Sequence, residues 1–146
     1  MIIKKTLVMS SLFALVLCAI VNMRVAAHEI IHETEARARN LPDEIVQALR
    51  NGDAKIISKY FNSSVELIFS ESRGVYGKSQ AEQILRTFFA NNSSGTGRFI
   101  YKHLHGSDRD NAQYYIGELH TARGLYRVTI YMKNRLIYRM SIESND

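Results

Sequence analysis

The sequence predicts an α+β fold, with N-terminal helices packed on a curved antiparallel sheet. Two observations predict it. Between residues 42 and 89, apolar side chains recur at the three-and-four spacing of amphipathic helices. From Arg98 onward the period switches to two, through four segments rich in Tyr, Ile and Val joined by short connections. Helices gathered ahead of a meander of strands belong to the α+β class.

Pro42-Asp43-Glu44 suits a helix start, its acids favoured by the helix dipole, and Ile45, Val46, Ala48 and Leu49 supply one apolar face. Asn51-Gly52 stops this helix and Asp53 caps the next, whose apolar positions are Ile56, Ile57, Tyr60 and Phe61. Ser64 to Phe69 reads as a strand and Val75-Tyr76 as a short second one. Ser79-Gln80-Ala81-Glu82 has the form of a capping box, opening a helix with Ala81, Ile84, Leu85, Phe88 and Phe89 on one face. Four strands follow: Arg98 to His105, Ala112 to Thr121, Leu125 to Lys133 and Leu136 to Glu143. Gly106 to Asn111, Ala122-Arg123-Gly124 and Asn134-Arg135 connect them as hairpins.

Ahead of these elements stands a different kind of segment. Lys4 and Lys5 precede an apolar run, Leu7 to Val21, and Val25-Ala26-Ala27 offers small residues for cleavage. That layout predicts a secretory signal over residues 1–27, cut after Ala27, and a periplasmic or extracellular protein. Residues 7–21 are short for a span of about 20 residues, although an uncleaved anchor there, or a lipid on Cys18, is the alternative. Leu17 before Cys18 argues against the lipid. After cleavage no stable membrane insertion is expected.

Cleavage also changes the composition. The whole chain has 19 Lys+Arg, 14 Asp+Glu and a formal net charge of +5. Lys4, Lys5 and Arg24 leave with the signal and no acid does, so a nearly neutral chain remains. With no basic run or stripe left, no nucleic-acid partner is expected. Cys18 is the sole cysteine, so the remaining chain forms no internal disulfide and depends on its core. Residues 28–40 read as a flexible or helical lead-in and 41–146 as one domain.

The order of elements from Leu41 to Glu143 resembles the nuclear transport factor two-like superfamily, in which a curved sheet wraps a helix as a cone. Ile45 to Leu49, Asn51-Gly52-Asp53, Ile57, Tyr60 and Phe61 carry that resemblance. More narrowly, Leu41-Pro42-Asp43-Glu44-Ile45, Tyr60-Phe61-Asn62, Ala81-Glu82-Gln83-Ile84-Leu85 and Tyr126-Arg127-Val128 resemble a family of small secreted bacterial proteins of unknown function. The resemblance implies fold and export but no chemistry. The wider superfamily includes isomerases, dehydratases, binding modules and assembly domains, and fold alone does not choose among them. It also implies that a homodimer through the sheet is open to the chain.

His28-Glu29-Ile30-Ile31-His32 matches the zinc-protease pattern H-E-x-x-H. It begins at the expected cleavage point and lacks an obvious third ligand, so neither a metal site nor a cofactor is expected. In the sheet, alternation sets Phe99, Tyr101, His103 and His105 on one face and Ile100, Lys102 and Leu104 on the other. Two adjacent histidines are too few for a metal centre. Tyr115, Gly117 and Leu119 share a face, as do Tyr126, Val128, Ile130 and Met132, with Met140 and Ile142 joining the core. Arg127, Thr129, Tyr131 and Lys133 face solvent. Glu66 and Glu118 face outward or sit on a border.

These positions define the candidate site. Tyr101, His103, Tyr115 and Tyr126 are the candidate ligand-binding residues, and His103 is the one candidate proton shuttle. No nucleophile triad or phosphate loop is present in the sequence. Catalysis is therefore not the leading expectation. That expectation is an exported noncatalytic binding module for a small apolar ligand or a protein partner. The alternatives are an isomerase- or dehydratase-like enzyme using His103 within the cone, and a structural self-association module.

Overall fold

The computed structural model describes residues 40–145 apart from positions 71, 94, 96, 110 and 111, all within the unit 38–146. The expected signal, its alternative anchors at 7–21 and Cys18, the lead-in before residue 40 and the His28 to His32 motif lie outside the described residues. No helix among the described residues is long and apolar enough to cross a membrane.

Three helices and six strands follow one another as α1 (Asp43–Asn51), α2 (Ala54–Lys59), β1 (Phe61–Phe69), β2 (Ser72–Gly77), α3 (Lys78–Asn92), β3 (Ile100–Arg109), β4 (Ala112–Thr121), β5 (Gly124–Lys133) and β6 (Leu136–Ser144). The strands form one curved, unclosed sheet in the order β2-β1-β6-β5-β4-β3. The expected α+β class holds. The sheet is not wholly antiparallel, however: β1 lies parallel to β6, and every other pair is antiparallel. Sequence alone does not reveal this, because β1 and β6 are joined through the whole intervening chain.

Local chemistry sets the helix ends. Asp43 and Glu44 occupy the first turn of α1, where the exposed N–H groups favour negative charge. Ile45, Ala48 and Leu49 are buried at the spacing of one helical face. Gly52 ends α1 at φ 64°, a left-handed conformation that costs glycine least. Its lack of a side chain is used twice, since an added Cβ would come within 2.7 Å of the Phe99 ring. Asp53 caps α2 as expected, its Oδ1 accepting from the Ile56 N–H at 3.0 Å.

Several boundaries differ from expectation: β2 spans Ser72–Gly77 and β3 begins at Ile100, and three further differences have a visible cause. Tyr60 ends α2 and Phe61 opens β1, because the Tyr60 carbonyl accepts from the Ile137 N–H and recruits the chain into the sheet. The capping box at Ser79 does not form. Helix α3 starts at Lys78, and Glu82 instead accepts hydrogen bonds from Ser58, at 2.8 Å, and from Arg86. Strand β3 continues to Arg109, where a loop from Gly106 was expected, since Gly106, Ser107 and Asp108 pair with Tyr115, Tyr114 and Gln113.

The core lies between the helices and the inner sheet face. Helix α3 contributes Ala81, Leu85 and Phe89, and the sheet contributes Phe61, Val65, Leu67, Leu119, Val128, Ile130, Met132, Ile137, Met140 and Ile142, all buried. Each large aliphatic side chain so buried stabilises the fold by about 1.5–3 kcal/mol. The inner face assigned to β4 and β5 from sequence is the one observed.

Candidate functional site

Tyr101 and Tyr115, on neighbouring strands, are buried at 3% and 2% exposure. His103 is half-buried beside Tyr115, with ring centres 6.3 Å apart. The structure thus brings three of the four sequence-predicted residues together on the inner face. Tyr101 leans along the ladder onto Gly117, the register partner of His103, and covers the backbone where a side chain is missing. Its hydroxyl is buried without a hydrogen-bond partner among the described residues. Burial alone pushes the Tyr101 phenol up to about 12. Burial also raises the Tyr115 phenol, with the nearby Asp108 carboxylate adding to the effect. Phenols held neutral in this way are poor proton carriers near neutral pH.

Tyr126 stands apart. It shares Leu119 as a register partner with Tyr101, but Tyr101 leans onto Gly117, and Tyr115 pairs with Ile130 further along the ladder. Its hydroxyl donates to Asn92 Oδ1 at 3.0 Å, and its ring meets Phe88 edge-on at 5.2 Å. Asn92 was missed by sequence reasoning, since a polar residue after the last apolar position of a helix gives no signal of burial. Buried at 6% exposure, it donates to the Phe88 carbonyl, while its own carbonyl accepts from the Ala122 N–H. It therefore ties the end of α3 to the β4–β5 turn.

The expected pairing of His103 with His105 on one face is incorrect. His103 pairs with Gly117 but His105 pairs with Ile116, so Leu104 is an extra residue in a β-bulge. A bulge inverts the alternation beyond it, and His105 turns to the outer face against Tyr114, at 5.7 Å. A second bulge, at Tyr138 between the partners of Tyr131 and Met132, turns Tyr138 outward as well. The two bulges complete a row across four strands: His105, Tyr114, Tyr131 and Tyr138, with ring centres 5.7, 5.8 and 6.1 Å apart. Arg139 lies over the Tyr131 ring at 5.3 Å and donates to Glu66, which also receives Arg73. These two guanidinium groups, Arg139 foremost, hold the Glu66 carboxyl below the usual carboxylate range. Glu66 thus faces outward, one of the two placements the sequence left open. Further along the same face, beyond Ile116, Thr129 and Ser141, Lys102, Glu118, Arg127 and Glu143 are successive register partners of alternating charge.

None of the four sequence-predicted residues lines either of two surface pockets. A pocket of about 440 Å³ lies at the β5–β6 hairpin, lined by Asn62, Ala112, Lys133, Asn134, Leu136 and Tyr138. Another of about 240 Å³ lies between the α1 end and α3, with Arg86, Phe89 and Phe99 among its walls. Among the described residues no three His, Cys, Asp or Glu side chains gather as a metal site would require.

Residues 42–143 match the model of a family described as a domain of unknown function, DUF4783. Among solved structures, a DUF4783 family protein from Bacteroides uniformis is 28% identical, with a TM-score of 0.64, over 73% of this chain and 99% of the other. A DUF4783 family protein from Bacteroides ovatus is 25% identical, with a TM-score of 0.65, over 73% and 96%. Rd1NTF2_04 with long sheet shares the fold at 16% identity and a TM-score of 0.56, over 68% and 94%. These neighbours agree with a nuclear transport factor two-like fold. No curated protein matches the chain.

Proposed function

The chain belongs to the DUF4783 family, and from that premise we propose that it is an exported, noncatalytic binding module that meets a protein partner on the outer face of its sheet. The observation that carries this reading is the contrast between the two faces. The inner face is filled by Leu119, Val128, Ile130, Met132 and Met140, with Tyr101 and Tyr115 buried among the core side chains. A filled interior argues against the small apolar ligand and against catalysis through His103, because both need an open pocket there.

The outer face instead carries the row of three tyrosines with Arg139, and Ile100 on β3 and Val75 on β2 are more than two-thirds exposed. Tyrosine and arginine are the residues most enriched where protein partners meet, since each combines apolar area with polar edges. The alternating charges of Lys102, Glu118, Arg127 and Glu143 would fix the register of a partner.

The test is photo-crosslinking in the producing cell, with a benzophenone amino acid at Tyr131 and, as control, at the exposed Gln83 of α3. A discrete adduct from position 131 and none from 83 supports the reading, and its mass separates a second copy from another protein. Equal labelling at both positions, or none at 131, contradicts it. Export rests on the layout of residues 1–27. N-terminal sequencing of the processed protein should begin at His28. A product beginning at Met1 or at Cys18 would contradict cleavage after Ala27.

A further inference from the structure

The pocket at the β5–β6 hairpin gathers several polar side chains around one apolar wall. Further along the outer face, Arg73 and Arg139 meet Glu66. Around this pocket stand Asn62, Lys133, Asn134 and Tyr138, and among the described residues none of these four side chains has a hydrogen bond or ion pair. Among the described lining residues, one ammonium, two amides and one phenol thus border about 440 Å³ of space. Among the described residues that line it there is no carboxylate. The volume lies within the range of small-molecule sites, roughly 300–1,000 Å³.

The walls also carry apolar area. Leu136 is 39% exposed, Ala112 is its neighbour across the Lys133 pairing, and the Tyr138 ring closes one side. The positions are held by backbone. Asn134 and Arg135, at φ 51° and 65°, make the tight two-residue turn that sets Lys133 and Leu136 directly opposite each other. Asn62 enters from β1, which runs beside β6.

From this donor set we propose that the pocket binds a small organic monocarboxylate, with Lys133 as its counter-ion, Asn62 and Asn134 as amide donors, and Leu136, Ala112 and the Tyr138 ring against its hydrocarbon body. The one cation among the described lining residues matches a single negative charge. A phosphate monoester carries about −1.5 to −2 at neutral pH and calls for more than one. Acceptor-only oxygens suit a site whose Lys offers donors and no acceptor, while the apolar wall selects against a bare inorganic anion. This goes beyond the partner-binding role of the outer face and stands or falls separately from it.

The test is a titration of the uniformly 15N-labelled processed chain followed by amide shifts, using phenylacetate, phenylacetamide and phenyl phosphate as probes. Phenylacetate should give saturable shifts confined to the neighbourhood of residues 62, 112, 133, 134, 136 and 138. Phenylacetamide should bind at least fivefold more weakly. Lys133→Met should weaken phenylacetate at least fivefold without moving Tm, since the side chain is exposed. Asn62→Ala and Asn134→Ala should each weaken it less. The proposal is overturned by shifts that are absent, non-saturable or spread over other basic residues such as Arg73 and Arg86. It is overturned equally by phenyl phosphate binding tighter than phenylacetate, or by unchanged affinity in Lys133→Met. Loss of crosslinking at Tyr131 would leave it untouched.

Discussion

Tyr101 covers Gly117 across the β3–β4 ladder so closely that a Cβ on Gly117 would overlap its ring and hydroxyl. The pair explains why an inner-face tyrosine in a curved sheet reads as a binding residue from sequence and packs as a structural one. Gly117→Ala should therefore cost about 1–3 kcal/mol through overpacking. In a Tyr101→Ala background the same substitution should cost much less, leaving a coupling above about 1 kcal/mol in a double-mutant cycle. Chemical denaturation of the four proteins checks this, and additive effects would show that the two residues do not compete for space.

The buried Tyr101 hydroxyl makes a second expectation. Its phenol is raised from 10.0 to about 12 by burial, so the neutral form is favoured in the folded state. The stability that follows is fully present below about pH 10 and is lost as pH rises toward about 12. Tyr101→Phe removes a hydroxyl with no partner among the described residues, and should stabilise the domain by about 1 kcal/mol. It should also flatten the fall in stability above pH 10. Denaturation midpoints from pH 8 to 11 measure both, and a destabilised Phe variant would contradict the account.

On the outer face the sign is reversed. Arg139 and Arg73 lower the Glu66 carboxyl, so its contribution is present above the ordinary carboxylate value of 4.5 and is lost as pH falls through the lower folded value. Glu66→Gln should leave a shallower acid limb in stability against pH, with little change in the slope above pH 6. An unchanged acid limb would show that the ion pairs contribute nothing measurable, as many exposed pairs do.

Arg135 occupies the left-handed region at φ 65° without being glycine. That conformation costs an ordinary residue roughly 1–2 kcal/mol, and Asn-Gly is the favoured pair for this turn. Arg135→Gly should raise stability by about 1 kcal/mol while leaving the β5–β6 register intact. A thermal melt with an amide spectrum checks both, and a loss of stability would mean that the arginine side chain makes a compensating contact.

The sequence made the element types and the inner face largely legible, because helix spacing and strand alternation both follow from burial on one side. Ile45 to Leu49 and Tyr126 to Met132 are examples in which pattern and burial coincide. What was not legible came from bulges and from distant pairing. Leu104 and Tyr138 each insert one residue, which inverts parity and sends His105 and Tyr138 to the outer face. Strict alternation from Met140 would have placed Tyr138 inward. The parallel pairing of β1 with β6, which brings Glu66 to Arg139 and Asn62 to the hairpin pocket, leaves no local signal at all. The aromatic row was hidden for the same reason, since its four rings come from four strands.

The central claim is that the inner face of the sheet is a packed core and that binding belongs to the surface. Methyl NMR of the processed chain, titrated with benzene, tests it most directly, because benzene enters dry apolar cavities that have room for it. The account predicts no saturable shift at the methyl groups of Leu119, Val128, Ile130, Met132 or Met140. Saturable shifts at those residues, altered by substitution of His103 or Tyr115, would reveal an open interior and contradict it.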